Sequence, residues 1–246
     1  MARYSSTLAL ALLAVISFPA SAQTVGMNAI VVNDVRMTTQ ANPKVHTAVV
    51  KESVSLGNDI ATGRASLVQV LLLDRTSFTL GSNARIKVYR FVHDPNRGAN
   101  SVGLSVAAGA FRFLPGEPIP AGQGQSVIRT PIASIGTRGA IVEGAVGADA
   151  IRIARGERAI PAGLKPDPET ASLIFLRGPD ARAESSERPG AIDVTVGFIT
   201  ITVTGPGKAM FAPGAGQPLI GPFELSAPGS AALADLLRTP HRRSPG

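Results

Sequence analysis

This chain of 246 residues contains no cysteine and no tryptophan, and tyrosine occurs only twice. Without thiols it can hold no disulfide, no thiolate metal site and no thiol nucleophile. A chain of this length can bury a sufficient core without disulfides, so their absence is compatible with export. The shortage of aromatic rings also removes the usual stacking partners of nucleobases, and we therefore expect no nucleic acid partner.

The charge of the chain is unbalanced, with 24 Lys and Arg against 17 Asp and Glu and a net charge of +7. A basic protein attracts anionic partners such as lipid headgroups, polysaccharides and acidic protein surfaces. A basic surface that only aids solubility is an equal alternative at this point.

The first residues have the organisation of a secretory signal peptide. Arg3 gives a positive start, residues 8–18 are almost all apolar, Pro19 breaks the run, and Ala20 and Ala22 are small. This pattern predicts cleavage after Ala22 and hence export of the mature protein. The apolar run is shorter than the roughly 20 residues of a membrane-spanning helix, and no later stretch approaches that length.

Glycine and proline are frequent, at 26 and 19 residues, and apolar residues come in short runs between them. This distribution predicts an all-β fold of many short strands in a solenoid-like or sandwich arrangement. Residues 67–73 are predicted as a strand covered on both faces, and the alternation in residues 192–204 changes phase, which requires a bulge or turn near Gly197. The other predicted strands are residues 45–54, 77–80, 85–89, 102–106, 111–113, 127–128, 172–176 and a strand around Met210.

Only one helix is predicted, over residues 231–238, with Ser230 as its cap and Pro240 as its stop. The predicted organisation is a signal peptide (1–22), a β domain (23–150), a β-rich C-terminal region (151–240) and a disordered tail (241–246). The C-terminal region is expected either to continue the first sheet or to form a second subdomain.

The sequence offers no complete phosphate-binding or nucleophile motif. Gly136-Thr137-Arg138-Gly139 lacks the Lys-Ser/Thr and the following helix of a P-loop, and Gly122-Gln123-Gly124 lacks the third glycine of a dinucleotide fingerprint. No G-x-S-x-G nucleophile elbow is present. Gly136 and Gly139 are therefore interpreted as turn residues with positive φ.

Histidine does not form a metal site in this sequence either. Outside the tail only His46 and His93 occur, with no carboxylate or histidine at ligand spacing. Two carboxylates that meet only in the fold could still cleave glycosides, although the tryptophan and tyrosine platforms of sugar sites are missing. We expect a protein that is not an enzyme and that needs no metal or cofactor.

Residues 56–144 contain an ordered series of motifs. "LGNDIATGRASLVQVLLLDRTSFTLGSNARIKVYRFVHD" is followed by "GAFRFLPG" and "IRTPIASIGTRGA". The series resembles the FecR domain, with its Gly-Asp-x-Ile-x-Thr-Gly turn, its Asp-Gly-Ser/Thr turn, its Leu-x-x-x-Ser/Asn-x-x-Leu/Ile segment and its T-P-x-A-x-I-G-x-R-G-T ending. Asn58 is inserted in the first motif, Arg75 replaces the usual glycine or small residue, and Ala140 stands where threonine is usual.

We predict that the motif residues determine the fold and carry no chemistry. Their side chains and their glycines are typical of turns, Pro131 is expected to keep a strand extended, and Arg138 to be a solvated charge at an exposed tip. The residues concerned are Gly57, Asp59, Thr62, Gly63, Asp74, Leu80, Asn83, Thr130, Pro131, Gly136, Arg138 and Gly139.

The resemblance implies an exported, β-rich sensing or interaction domain. Membrane-bound members lie in the periplasm and relay the occupancy of an outer-membrane iron-complex receptor to a cytoplasmic sigma factor. This sequence shows neither an anti-sigma segment nor a retained membrane helix, so we expect a stand-alone periplasmic module. It would bind a partner protein of the cell envelope by strand addition at its sheet edges. The alternative is a basic structural protein that binds peptidoglycan or an anionic envelope polysaccharide.

Overall fold

The computed structural model describes residues 23–39, 43–94, 96, 99–116, 125–178 and 190–238. The predicted signal peptide, the tail after residue 240, Pro240 itself and most of the Pro/Gly-rich stretch before residue 125 lie outside the described residues.

The described chain folds into strands with two helices. The strands are β1 (Thr24–Val32), β2 (Val35–Thr38), β3 (His46–Thr47), β4 (Ser53–Ser55), β5 (Asp59–Thr62), β6 (Leu67–Leu72), β7 (Ser77–Leu80), β8 (Arg85–Asp94), β9 (Ala99–Leu114), β10 (Ser126–Arg129), β11 (Ser134–Arg138), β12 (Val142–Val146), β13 (Ser172–Leu176), β14 (Ala191–Val196), β15 (Ile199–Thr204), β16 (Lys208–Ala212) and β17 (Ile220–Glu224). The helices are α1 (Ala148–Ala154) and α2 (Ala227–Leu236).

The strands form two sheets that share β9. Sheet A has the order β4-β1-β6-β7-β9-β12-β13-β16-β17. Sheet B has the order β3-β2-β5-β8-β9-β10-β11-β14-β15. Neighbouring strands are antiparallel except β9 and β10, which are parallel. The predicted boundary at residue 150 stays a prediction, although strands from both sides of it pair in each sheet.

The hydrophobic core lies between the two sheets. Alternate residues of each strand face inward, as Ile86 and Val88 do on β8 and Val68 and Val70 on β6. These side chains belong to one buried cluster with residues of both sheets, and each fully buried aliphatic or aromatic side chain contributes about 1.5–3 kcal/mol. The arrangement is therefore a β-sandwich.

The long strand β9 passes from one sheet to the other. Its residues up to Ala108 pair in sheet B with β8, and its residues from Gly109 onward pair in sheet A with β7 and β12. Gly109 has φ +76°, and a Cβ atom there would lie 2.4 Å from Cα of Ala84. Only glycine combines this backbone conformation with such close approach.

Both helices pack on the outer face of sheet A. A second cluster joins Ile153 of α1 and Leu233 of α2 to Leu173 and Phe211 of the sheet. The carboxylate of Glu157, just after α1, accepts hydrogen bonds from the backbone N–H and the hydroxyl of Ser226, at 3.0 and 2.7 Å. Because Ser226 is also the N-cap of α2, this contact fixes the start of α2 against the end of α1.

The predicted all-β class and the short C-terminal helix are confirmed, and the arrangement is a sandwich rather than a solenoid. The turn expected near Gly197 is the β14–β15 hairpin. The C-terminal helix begins earlier than predicted, at Ala227 with Ser226 as cap, because a proline at its start is compatible with the first helical turn. The predicted strand at residues 45–54 is two short strands separated by a turn at Lys51, which has φ +67°.

One prediction about burial was wrong. Residues 67–73 are not covered on both faces, because Leu71 and Leu73 are exposed on the outer face of sheet A. The helices cover β12 and β13 and leave this part of the sheet open. An unbroken apolar run therefore does not by itself indicate a strand covered on both faces.

Replacing Gly109 should destabilise the protein more than replacing a glycine that has free space around it. For Gly109→Ala we expect the free energy of unfolding to fall by roughly 3 kcal/mol or more, because the strain of positive φ adds to a clash with the backbone of Ala84. Gly139→Ala is the matched control, because Gly139 has φ +69° with no atom within 4 Å of its would-be Cβ. The Gly139→Ala variant should lose about 1 kcal/mol of its free energy of unfolding. Urea unfolding measures both, and equal losses would contradict the explanation.

Candidate interaction edge

A sandwich of two open sheets has four edges, and three of them offer little backbone for pairing. β3 has two residues and β4 has three, while β17 carries Pro222, which has no N–H, and the charged Glu224. The fourth edge is β15. In the described part of the chain it pairs only with β14, and its other side is open.

The sequence of β15 is Ile-Thr-Ile-Thr-Val-Thr, so that all six residues are β-branched. Branching at Cβ favours the extended backbone of a strand. The strand contains no proline and no charged residue, which are the common means of blocking an edge. It is the one described edge that combines length, strand propensity and the absence of such protection.

The geometry of the hairpin identifies which backbone groups are free. Gly197, with φ +58°, and Phe198 form a two-residue turn, and Val196 pairs with Ile199 across it. In such a hairpin the pair next to the turn is hydrogen-bonded, and alternate residues then direct their N–H and C=O groups away from the partner strand. The outward groups therefore belong to Thr200, Thr202 and Thr204.

The tip of this hairpin projects from the body of the protein. Phe198 is fully exposed and Ile199 is 57% exposed, whereas Val203 at the other end of β15 is 1% exposed. Ile201, between them, is half-buried and packs against the core. An aromatic ring and an isoleucine in solvent next to open backbone groups form a site suited to an extended peptide.

The residues of the first predicted motif lie at the turns around β5. Gly57 has φ +85°, and its N–H donates to the carbonyl of Val88 at 2.8 Å. Asp59 accepts two hydrogen bonds from the guanidinium of Arg85, at 2.8 and 3.1 Å, and this carboxylate raises the pKa of Arg85. The hydroxyl of Thr62 donates to the carbonyl of Gly81 and accepts from the N–H of Ala84.

Gly63, Leu80 and Asn83 complete this region. The N–H of Gly63 donates to the carbonyl of Asp34, and a Cβ on Gly63 would lie 2.8 Å from the Asp34 carboxylate. Leu80 is fully buried in the core. Asn83 adopts φ +53°, a conformation that asparagine tolerates better than most residues, and its N–H donates to the carbonyl of Gly63.

The second motif is a buried turn centred on Asp74. This carboxylate accepts hydrogen bonds from the N–H and the hydroxyl of Thr76, at 3.0 and 2.7 Å. The same hydroxyl accepts from the N–H of Gly116 at 3.1 Å, which connects the turn to the end of β9. Arg75, between them, has φ +65°, the backbone conformation that glycine adopts most easily.

The last motif joins β10, β11 and β12. Thr130 accepts a hydrogen bond from the N–H of Ala133 at 3.0 Å, and Gly139 turns the chain with φ +69°. Arg138 is the last residue of β11. Two details differ from the prediction. Pro131 lies in the turn between β10 and β11, and Gly136 lies within β11, where the amide end of the Gln125 side chain covers it.

The buried carboxylates of the described residues all have structural partners. Besides Asp74 and Glu157, these include Glu143, which is fully buried on the outer face of sheet A. Glu143 accepts from the guanidinium of Arg112 at 2.6 Å and from that of Arg177 at 3.0 Å. Two half-exposed cations thus compensate the cost of burying this charge.

A cavity of about 380 Å³ opens between α1 and the loop that follows it. Arg155 is the one residue of its lining that carries a charge, and the lining contains no carboxylate, histidine, serine or threonine. It therefore offers no general acid, general base or hydroxyl nucleophile. Its lining residues are Ile151, Ala154, Arg155, Ile160, Pro161, Ala162, Gly163, Leu164, Pro166 and Phe211.

Among the described residues, no three His, Cys, Asp or Glu side chains lie close enough together to share a metal ion. Neither of the helices in the described part of the chain has the length and apolar character needed to cross a bilayer.

The short edge β3 carries a titratable contact. Nε2 of His46 lies 2.6 Å from Oε1 of Glu52, and the other carboxylate oxygen accepts from the N–H of Val49. The hydrogen bond to Glu52 raises the pKa of His46 above its ordinary value of 6.5. Sequence reasoning found His46 but not this partner, because the two residues meet only through the turn at residues 49–51.

The His46–Glu52 contact should make stability fall as the pH rises above 6.5. Because the pKa of His46 is raised in the folded state, the ion pair contributes fully to the free energy of unfolding below pH 6.5. This contribution is lost as the pH rises through the folded-state pKa. NMR titration of the His46 ring should give a pKa above 6.5 in the wild type and a value nearer 6.5 in Glu52→Gln. A wild-type pKa of 6.5 or lower would show that the ion pair does not form in solution.

Comparison with known proteins gives only a distant likeness. No family model matches the sequence, and no curated protein matches it. Two crystal structures of a candidate anti-sigma factor from Parabacteroides distasonis ATCC 8503 resemble this structure with a TM-score of 0.42, at 11% and 10% sequence identity. The likeness covers 68% of this chain and 60% of that protein. The function of this chain is accordingly inferred from its own residues.

Proposed function

We propose that this protein is a non-enzymatic, exported FecR-type module that binds a partner protein of the cell envelope by strand addition at β15. The observation that carries the proposal is the open edge of β15 beside the exposed side chains of Phe198 and Ile199.

Strand addition would use the backbone of the edge for affinity and its side chains for selectivity. A partner strand would hydrogen-bond to the outward N–H and C=O groups of Thr200, Thr202 and Thr204. Its own alternate side chains would meet the ring of Phe198 and the exposed part of Ile199. Removing this apolar surface from water would contribute about 25 cal/mol of binding free energy per Å² buried, in addition to the contribution of the hydrogen bonds.

Three features support a binding role rather than catalysis. The buried carboxylates Asp74, Glu143 and Glu157 are engaged with hydroxyl, backbone or guanidinium partners. The cavity beside α1 lacks acid, base and nucleophile. The fully exposed ring of Phe198 and the exposed Ile199 instead lie beside an open strand edge on the β14–β15 hairpin.

The FecR-type assignment rests on turn chemistry at the motif residues. The hydroxyl of Thr62 satisfies two backbone groups, Asp74 closes its own turn, and Gly57 adopts positive φ. Arg75 takes the left-handed conformation at the position where the FecR pattern has glycine. These contacts explain the residue types of the motif without any ligand. Export and a periplasmic location follow from the signal-peptide pattern and the same resemblance, and both belong to the proposal.

The edge can be blocked without disturbing the hairpin. Thr202→Pro removes an outward N–H and places a ring at the open edge, while the hydrogen bonds between β14 and β15 remain, because proline is compatible with an edge position. The measurement is affinity capture from envelope extracts, followed by mass spectrometry. We expect Thr202→Pro to capture at least about tenfold less of the partner than the wild type does, which is the effect of losing one or two strand-pairing hydrogen bonds.

Thr202→Val is the matched control. Valine has the shape of threonine and keeps the backbone N–H, but it loses the hydroxyl bond to Asp193. It should capture the partner as well as the wild type does. Equal capture by Thr202→Pro and the wild type would contradict strand addition. A dimer in light scattering that becomes a monomer in Thr202→Pro, with no envelope protein lost, would assign the edge to self-association instead.

A further inference from the structure

The outer face of sheet B carries a group of cations on its central strands. Lys87 and Arg90 lie on β8 and Arg129 lies on β10, and all three side chains are exposed. None of them forms an ion pair with a described residue, in contrast to Arg85 and Arg36, which are paired with Asp59 and Asp34. Three cations that form no ion pair with a described residue thus share this face.

A β-bulge increases the charge on this face. Val88 pairs with Leu104 and Arg90 with Gly103, so that Tyr89 is an extra residue in β8. Tyr89 and Arg90 both lie over Gly103, where a Cβ would be 2.7 Å from the tyrosine ring and 2.8 Å from Cβ of Arg90. The bulge therefore directs two successive side chains outward, where a regular strand would direct one.

The ring of Tyr89 positions one of the cations. The ring lies against Gly103, and the guanidinium carbon of Arg129 lies over it, 4.7 Å from the ring centroid. Such a cation–π contact restricts the guanidinium and leaves its N–H groups for a carboxylate or phosphate.

Hydroxyl side chains continue from these cations in a straight line across the sheet. Strand pairing aligns Lys87 with Ser105, Ser105 with Arg129, Arg129 with Ser134, Ser134 with Thr195, and Thr195 with Thr200. We call this the cross-strand row; it comprises Lys87, Ser105, Arg129, Ser134, Thr195 and Thr200. Five strand spacings of about 4.8 Å make it roughly 24 Å long.

From this geometry we propose that the cross-strand row, together with Arg90, binds a linear acidic polysaccharide. The backbones of Lys87 and Arg129 lie two strands, or about 9.6 Å, apart, and Arg90 adds a third cation on the same face. A ligand with several anionic groups on an extended chain matches cations spread in this way. Sugar hydroxyls find hydrogen-bonding partners in the serines and threonines of the row. The aromatic ring beside the cations carries Arg129, and the exposed Phe198 and Ile199 lie beyond the end of the row at Thr200, so bases and lipids have fewer matching groups along the row itself.

This site lies on the face of sheet B and meets the edge of β15 only at Thr200. It can be tested with polygalacturonate, a polymer of uronic acids. The test variant is Lys87→Gln/Arg90→Gln/Arg129→Gln. The matched control is Arg155→Gln/Arg158→Gln/Lys165→Gln, which removes three exposed charges from the loop after α1. Calorimetry at 0.05 M salt should show binding by the wild type, at least about tenfold weaker binding by the test variant, and less than twofold change in the control.

Tyr89 provides a test of positioning. Tyr89→Phe keeps the ring and should keep the wild-type affinity, whereas Tyr89→Leu should bind about two- to fivefold more weakly, since it loses the ring beneath Arg129. Thermal unfolding of both variants separates this effect from loss of fold. If the two variants bind equally, Tyr89 does not position Arg129.

Four results would overturn the proposal: no binding of polygalacturonate by the wild type, equal weakening by the test and control variants, tighter binding of a thymidine oligonucleotide, or tighter binding of anionic vesicles. Uncharged dextran should not bind. Thr202→Pro should retain polygalacturonate binding within about twofold, since no charge changes. A failure of the polysaccharide proposal appears in the binding of polygalacturonate, and a failure of the strand-addition proposal appears in the capture of the partner protein. The two can therefore be distinguished.

Discussion

The sharing of β9 between both sheets is the constraint on which the rest of this structure depends. One strand of 16 residues pairs on both sides in sheet B and then, after Gly109, on both sides in sheet A. The two sheets are therefore joined at their middle strands, and their edges lie on either side of that junction. Because the chain can make this turn only where a Cβ is absent, the position of one glycine determines how the two inner faces meet.

Most polar side chains near turns satisfy the backbone. Asp74, Thr130 and Thr137 each bond to backbone groups of their own turns, and Thr62 bonds to backbone groups of the turn between β7 and β8. A sandwich with many short strands needs many such contacts, since each turn exposes backbone groups. The polar residues of the family-like motif are used in this way, and what remains for binding is an open strand edge and a flat, positively charged face.

The two proposed binding surfaces meet on the same strand. The cross-strand row ends at Thr200 of β15, and the outward backbone groups of β15 begin at the same residue. A linear polymer on the face of sheet B and a partner strand on its edge would therefore be neighbours, one above the plane of the sheet and one beside it. Both proposed surfaces suit extended ligands.

Several features could be predicted from local sequence. Alternation in β8 indicated its inward residues, the phase change near Gly197 indicated a bulge or turn, and the glycine and proline content indicated an all-β fold. Element boundaries were less predictable. α1 was not predicted, because its seven residues are stabilised by packing on sheet A rather than by a periodic pattern of their own. Gly136 was predicted in a turn, because a glycine that accommodates the side chain of Gln125 looks the same in sequence as one that adopts positive φ.

The sequence alone determined the strand character of this protein, its excess of positive charge and its lack of thiols, because these depend on residue type and local spacing. The tertiary structure alone decided which strand is left at an open edge and which cations share a face. Edge position depends on the order of strands in a sheet. The cross-strand row depends on the register of six strands that come from three separate parts of the sequence. Neither quantity is encoded in any local pattern, so both candidate sites became visible only in the folded chain.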